Sequence, residues 1–195
     1  MALTKVEADG INLADTFAFT GTISGSGYDL LASVSSTSTQ SSVEISLPTG
    51  YTSYYLTIYS ETDSSSNGHY HLTYKRDGQS SFDTSSYTTQ GKLLDITNNQ
   101  LNTNSGGSAL QLVASDSGLD GGYYFNIWLN GYGTADVGSS MTYQCTKVTT
   151  SASATWMGGG ANTVAATNNS KMIAVNFAPS TGNIDNLHYR LFGIA

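Results

Sequence analysis

The chain has 195 residues, only 11% of them charged, with a formal net charge of −7 at pH 7 and an isoelectric point near 4.5. No Lys or Arg lies between Lys5 and Lys75 and no run of like charge occurs. This excludes the clustered cations that a nucleic-acid binder needs to neutralise phosphates, and equally a polybasic membrane patch. A single cysteine, Cys145, rules out an internal disulfide, so packing and strand pairing must hold the fold, and a chain this long can bury a core that suffices.

The periodicity is two nearly everywhere, the mark of strands, and no convincing amphipathic helix is present. Residues 1–27 pattern less regularly than the rest and read as an arm or an edge strand, although Asp15–Ile23 sets Phe17 and Phe19 on one face. Residues 28–195 read as one domain. Asp29–Ser35 and Ser42–Leu47 are short strand candidates, and Pro48-Thr49-Gly50 turns the chain. Thr52–Tyr59 sets Tyr54, Leu56 and Ile58 on one face and Tyr55, Thr57 and Tyr59 on the other; a loop is expected over Glu61–Gly68. His69–Lys75 then alternates Tyr70, Leu72 and Tyr74 against His69, His71 and Thr73, and Asp77-Gly78 signals a tight turn.

Further on, Leu93–Thr97 and Ala109–Ala114 read as strands around a loop at Asn98–Ser108. Tyr123–Leu129 is the strongest strand, with Phe125, Ile127 and Leu129 facing one way, and Met141–Thr149 is another. The three glycines in Met157–Gly160 are expected to break any element. Lys171–Phe177 and Leu187–Ile194 close the chain, with a turn at Asn183–Asn186. The total is about ten strands joined by Gly, Ser and Asn turns without helical crossovers, hence antiparallel sheets, packed as two layers or closed as a barrel. Met1–Val6 offers no apolar stretch for a signal peptide and no window reaches a membrane span, so a chain made without a leader and without membrane insertion is expected.

Motifs of chemistry are scarce. His69 and His71 sit at i and i+2 on one strand, so both imidazoles share a face. They supply two nitrogens where most metal sites need three or more ligands, and only a trimer bringing three pairs to its axis would complete a site. Two solvent-facing histidines are the simpler reading, and no cofactor is expected. Asp77 and Asp83 bracket a loop that lacks the ligand spacing of a calcium site. No nucleophile elbow or phosphate loop occurs, and Cys145 sits mid-strand, where a packed thiol is favoured over a reactive one. No catalytic residue is assigned.

The aromatic residues are the richer feature, with 13 tyrosines and 2 tryptophans. Rings among neutral polar neighbours suit glycans, whose apolar faces stack and whose hydroxyls hydrogen-bond. Tyr55, Tyr59, Tyr124, Trp128 and Tyr132 are the candidates for such a surface. By alternation others, from among Tyr51, Tyr54 and Tyr123, must face the core, and exposed rings also suit packing between sister subunits.

Several segments together carry a family resemblance. Met1–Val6 followed by Asn12–Ile23 resembles the start of structural proteins of tailed phages, particularly marine ones. Tyr54–Tyr59, His71–Gly78 and Ser85–Tyr87 are similar to successive strands and the Asp-Gly turn of the same jelly-roll proteins, with Gln79-Ser80 departing from the usual Gly-Ser. Gly182–Ile194 is similar to their closing strand, with Phe192 where Tyr is usual. The resemblance implies an antiparallel jelly-roll β-sandwich and a virion structural protein, commonly a homotrimeric tail-fibre or tail-associated subunit or a capsid decoration. Together with the less regular pattern of residues 1–27, it points to contact with other virion proteins through the N-terminal segment and an outward-facing domain, while host surface glycan is expected as a partner from the aromatic strands alone. The family carries no catalytic residues.

Overall fold

The computed structural model describes residues 27–62, 69–84, 87–95, 100–105, 109–112, 121–134, 139–148, 155–164 and 170–195. Apart from Gly27, the proposed N-terminal arm, with Phe17 and Phe19, lies outside the described residues, as does most of the expected loop at Glu61–Gly68. The described chain is all-β, antiparallel and free of helix.

Twelve strands are present among the described residues: β1 (Asp29–Ser36), β2 (Val43–Ser46), β3 (Ser53–Thr62), β4 (Tyr70–Arg76), β5 (Tyr87–Asp95), β6 (Gln100–Ser105), β7 (Leu110–Gln111), β8 (Gly122–Asn130), β9 (Ser139–Val148), β10 (Thr155–Val164), β11 (Met172–Pro179) and β12 (Ile184–Ile194). They form an eight-stranded sheet of order β1-β12-β3-β8-β9-β10-β5-β6 and a four-stranded sheet of order β2-β11-β4-β7. Chain neighbours seldom pair. The last strand lies between β1 and β3, and β11 lies between β2 and β4.

The alternation seen in the sequence decides which faces meet. Tyr54, Leu56 and Ile58 of β3 and Phe125, Ile127 and Leu129 of β8 are at most 2% exposed, as are Tyr70, Leu72 and Tyr74 of β4. They join one cluster with Val175 and Phe177 of β11 and Leu187 and Leu191 of β12. Tyr70 bridges the sheets, stacking on Phe177 at 4.9 Å within its own sheet and meeting Phe125 edge-on at 5.3 Å across the interface. Both arrangements suit the ring quadrupole. Cys145, 3% exposed and opposite Phe125, is a packed thiol.

Two local expectations are corrected, and the expected turn at Asp77-Gly78 is met. Gly158–Gly160 do not break the chain: they lie inside β10, with β9 on one side and β5 on the other supplying ladder partners for the backbone. Part of the expected loop at Asn98–Ser108 is β6, paired to β5. Asp77-Gly78 does turn, with Gly78 at φ 84°, and the next strand, β5, pairs in the other sheet rather than with β4. The chain instead folds back on β4, where Asp83 N–H donates to the Tyr74 carbonyl at 2.9 Å. Asp83 is engaged there by Arg76 at 3.2 Å and by Gln79 Nε2 at 2.9 Å, which ties the loop to β4.

Candidate functional site

Because β12, β3 and β8 bury one set of alternate side chains, the other set forms the outer face of the large sheet. The register sorts it into rows. Phe192, Tyr55 and Trp128 face one another in the first row, Arg190, Thr57 and Asn126 in the second, and His188, Tyr59 and Tyr124 in the third. On the edge strand, Leu30, Ser33 and Ser35 extend these rows in the same order. Rows on one face are two residues apart, about 7 Å along the strands.

The first row is a run of rings. Tyr55 lies 5.1 Å from Trp128 and stacks on Phe192 at 5.8 Å, while Tyr28, itself half exposed, meets Tyr55 edge-on at 5.9 Å. In the third row Tyr59 packs against Tyr124 at 4.6 Å and His188 at 5.9 Å. The Tyr59 hydroxyl donates to Glu61 Oε1. Burial, and then this carboxylate, push its pKa up to about 12. Glu61 also accepts Asn186 Nδ2 at 3.3 Å, so the ring is anchored at its rim. Gly122 completes the anchorage: a Cβ there would sit 2.7 Å from Cε2 of Tyr59.

Between the two aromatic rows lies a basin of about 340 Å³. Thr57 and Asn126 form its floor, Tyr59 and Tyr124 one wall, and His188 and Arg190 the side toward β1. Tyr55 donates to Asn126 Oδ1 at 2.7 Å, which leaves the Asn126 amide nitrogen as the group available to a ligand. His188 Nδ1 lies 2.7 Å from Ser35 Oγ, so its second ring nitrogen is turned elsewhere. The lining holds one fixed cation, Arg190, with an imidazole, hydroxyls and an amide but no carboxylate.

Four of the five rings proposed for a sugar surface therefore share this face: Tyr55 and Trp128 in one row, Tyr59 and Tyr124 in the other. Tyr132 does not. It is 1% exposed and belongs to the core, because the turn at Gly131–Gly133 ends the alternation of β8 and sends its ring inward. Tyr54 and Tyr123 are core residues too, each 1% exposed. Arg190, Asn126 and His188 were missed as site residues. The available signal was His188, Arg190 and Phe192 at i, i+2 and i+4, which any strand must put on one face.

His69 and His71 lie on the other sheet, remote from this face. Their rings are 5.7 Å apart, and burial lowers both pKa values, with the neighbouring ring adding to the effect at His71. No group of three or more metal-ligating side chains occurs among the described residues, so one protomer gives this pair no third ligand there.

No protein-family model matches the chain, and neither the search of curated proteins nor that of solved structures finds a match.

Proposed function

We propose that this chain is a structural subunit of a tailed-phage virion, carried on the tail or its fibres and built as a jelly roll. The strand order is the observation that carries the reading. With β5, β6, β9 and β10 set aside as additions, the sheets read β1-β12-β3-β8 and β2-β11-β4-β7. The last strand sits between the first and third, and the next-to-last core strand between the second and fourth. That order supports a reading as an eight-stranded double-sheet jelly roll with additions, a scaffold of viral capsid and lectin domains. Three segments of the family resemblance coincide with β3, with β4 and its turn, and with β12.

In this reading the protein is a homotrimer without cofactor or catalysis. Residues 1–27 contact other virion proteins and residues 28–195 form the exposed domain. The fold alone does not specify a function, so the test is one of place. Gold-labelled antibody on intact virions should mark the tail. Label over the capsid would make the protein a decoration or cement subunit, and absence from particles would overturn the reading. Deleting Ala2–Gly25 should release the protein from particles while leaving its circular dichroism unchanged.

A further inference from the structure

The geometry points to the basin on the large sheet as a binding site for a carboxylate-bearing pyranose, a uronic-acid unit of an acidic glycan. The first argument is charge. The chain carries 14 acidic residues against 7 Lys and Arg, yet the fixed charge in the basin lining is that of Arg190 and no carboxylate lines it. Glu61, one row beyond Tyr59 on β3, is occupied by Tyr59 and Asn186. Arg190 has no ion pair among the described residues and is exposed. A guanidinium presents a planar fork of donors that matches a carboxylate.

The second argument is shape and composition. A sugar ring has an apolar face and a rim of hydroxyls. Tyr124, half exposed beside Tyr59, supplies the stacking wall. The hydroxyls of Ser33 and Thr57 and the Asn126 amide, oriented by Tyr55, supply the polar partners. The mixture of aromatic wall and a few convergent polar groups is what small-ligand sites show. A nucleic acid would require several clustered cations, which are missing here. An acidic peptide could use Arg190 but has no flat apolar face to lay on Tyr124.

The site lies on one protomer and does not depend on where the protein sits in a particle. The test is calorimetric titration of the full chain with oligogalacturonate, its methyl ester, a neutral galacto-oligosaccharide and oligoglutamate. Oligogalacturonate should bind at least tenfold more tightly than its methyl ester at low salt. That margin should shrink in about 1 M salt, where the screening length is about 3 Å. Arg190→Gln should abolish the margin by bringing the acid's affinity down to the level of the methyl ester, and Tyr124→Ala should weaken both by about tenfold. Both residues are exposed, so unchanged circular dichroism and melting will show that the variants are folded. Equal binding of acid and ester, or a margin that survives Arg190→Gln, would overturn the carboxylate assignment. Oligoglutamate binding as tightly as the uronate would overturn the sugar. Failure of every saccharide, with Tyr124→Ala dissociating an oligomer, would make the face a contact between copies and end the proposal.

Discussion

The Arg76–Asp83 pair offers the sharpest test of the packing. The Arg76 side chain is only 6% exposed and meets Asp83, 19% exposed, at 3.2 Å. Removing one member of a buried pair costs about 3–5 kcal/mol, because the survivor keeps its charge without its partner. In Asp83→Ala, Arg76 still donates to the Tyr74 hydroxyl at 3.0 Å and lies over that ring at 5.3 Å from its centroid. These contacts place the loss near the lower end, about 3 kcal/mol. For a chain of this size that corresponds to a fall of about 6–12 °C in the melting midpoint. Urea denaturation of wild type, Asp83→Ala, Arg76→Met and the double variant closes the cycle. The double variant should recover part of the loss, since an apolar replacement of both members is often close to neutral. A loss below about 1 kcal/mol in Asp83→Ala, the size of an exposed bridge, would refute the reasoning.

Three further outcomes follow from the same structure. Gly133→Ala would drive its Cβ into the Tyr51 backbone carbonyl, whereas the nearest atoms to a Cβ at Gly193 belong to the Tyr51 ring, a side chain that can shift; the first should cost about 3 kcal/mol and the second less, read from urea midpoints. Phe125→Ala empties the centre of the Tyr70, Tyr123 and Phe177 cluster and should cost about 3–5 kcal/mol by the same assay. His69 and His71 have pKa values lowered by burial from 6.5, so below that pH the unfolded chain takes up protons that the native rings resist. Stability should therefore fall as pH drops through about 6.5 and below, and His69→Gln with His71→Gln should flatten that fall in urea titrations across the range.

The faces of the strands were legible because alternation is local. β3, β4 and β8 each bury the residues that a period of two selects, and the short connection around Asp77-Gly78 turns where its residues demand. Pairing was not legible, since β12 joins β1 and β3 across most of the chain and no short-range pattern encodes that partner. The glycines of β10 misled for a related reason: a propensity argument sees one segment, while the strand is held by ladders on both sides. Tyr132 was misplaced because it stands two residues past the end of β8, where alternation no longer dictates direction. The outer face was half visible: its rings could be named, but the rows that set Arg190 beside Thr57 and Asn126 exist only once β12 lies against β3 and β8.

That construction separates the two faces energetically. Inner residues of β3, β8 and β12 hold the sheets together, and most outer residues should tolerate exchange within about 0.5 kcal/mol. Tyr55 couples the two roles. Its ring packs between Phe192 and Trp128, while its hydroxyl fixes the Asn126 amide. Tyr55→Phe keeps the ring and loses one partly buried hydrogen bond, worth about 1 kcal/mol. Without that donor the Asn126 side chain is free to reverse and turn its oxygen toward the basin, where it would oppose a carboxylate. Melting should change little, yet oligogalacturonate should bind several-fold more weakly while the methyl ester is less affected. A Tyr55→Phe variant that binds both as wild type does would show that the Asn126 amide does not face the ligand, and would leave Arg190 to account for the acid preference alone.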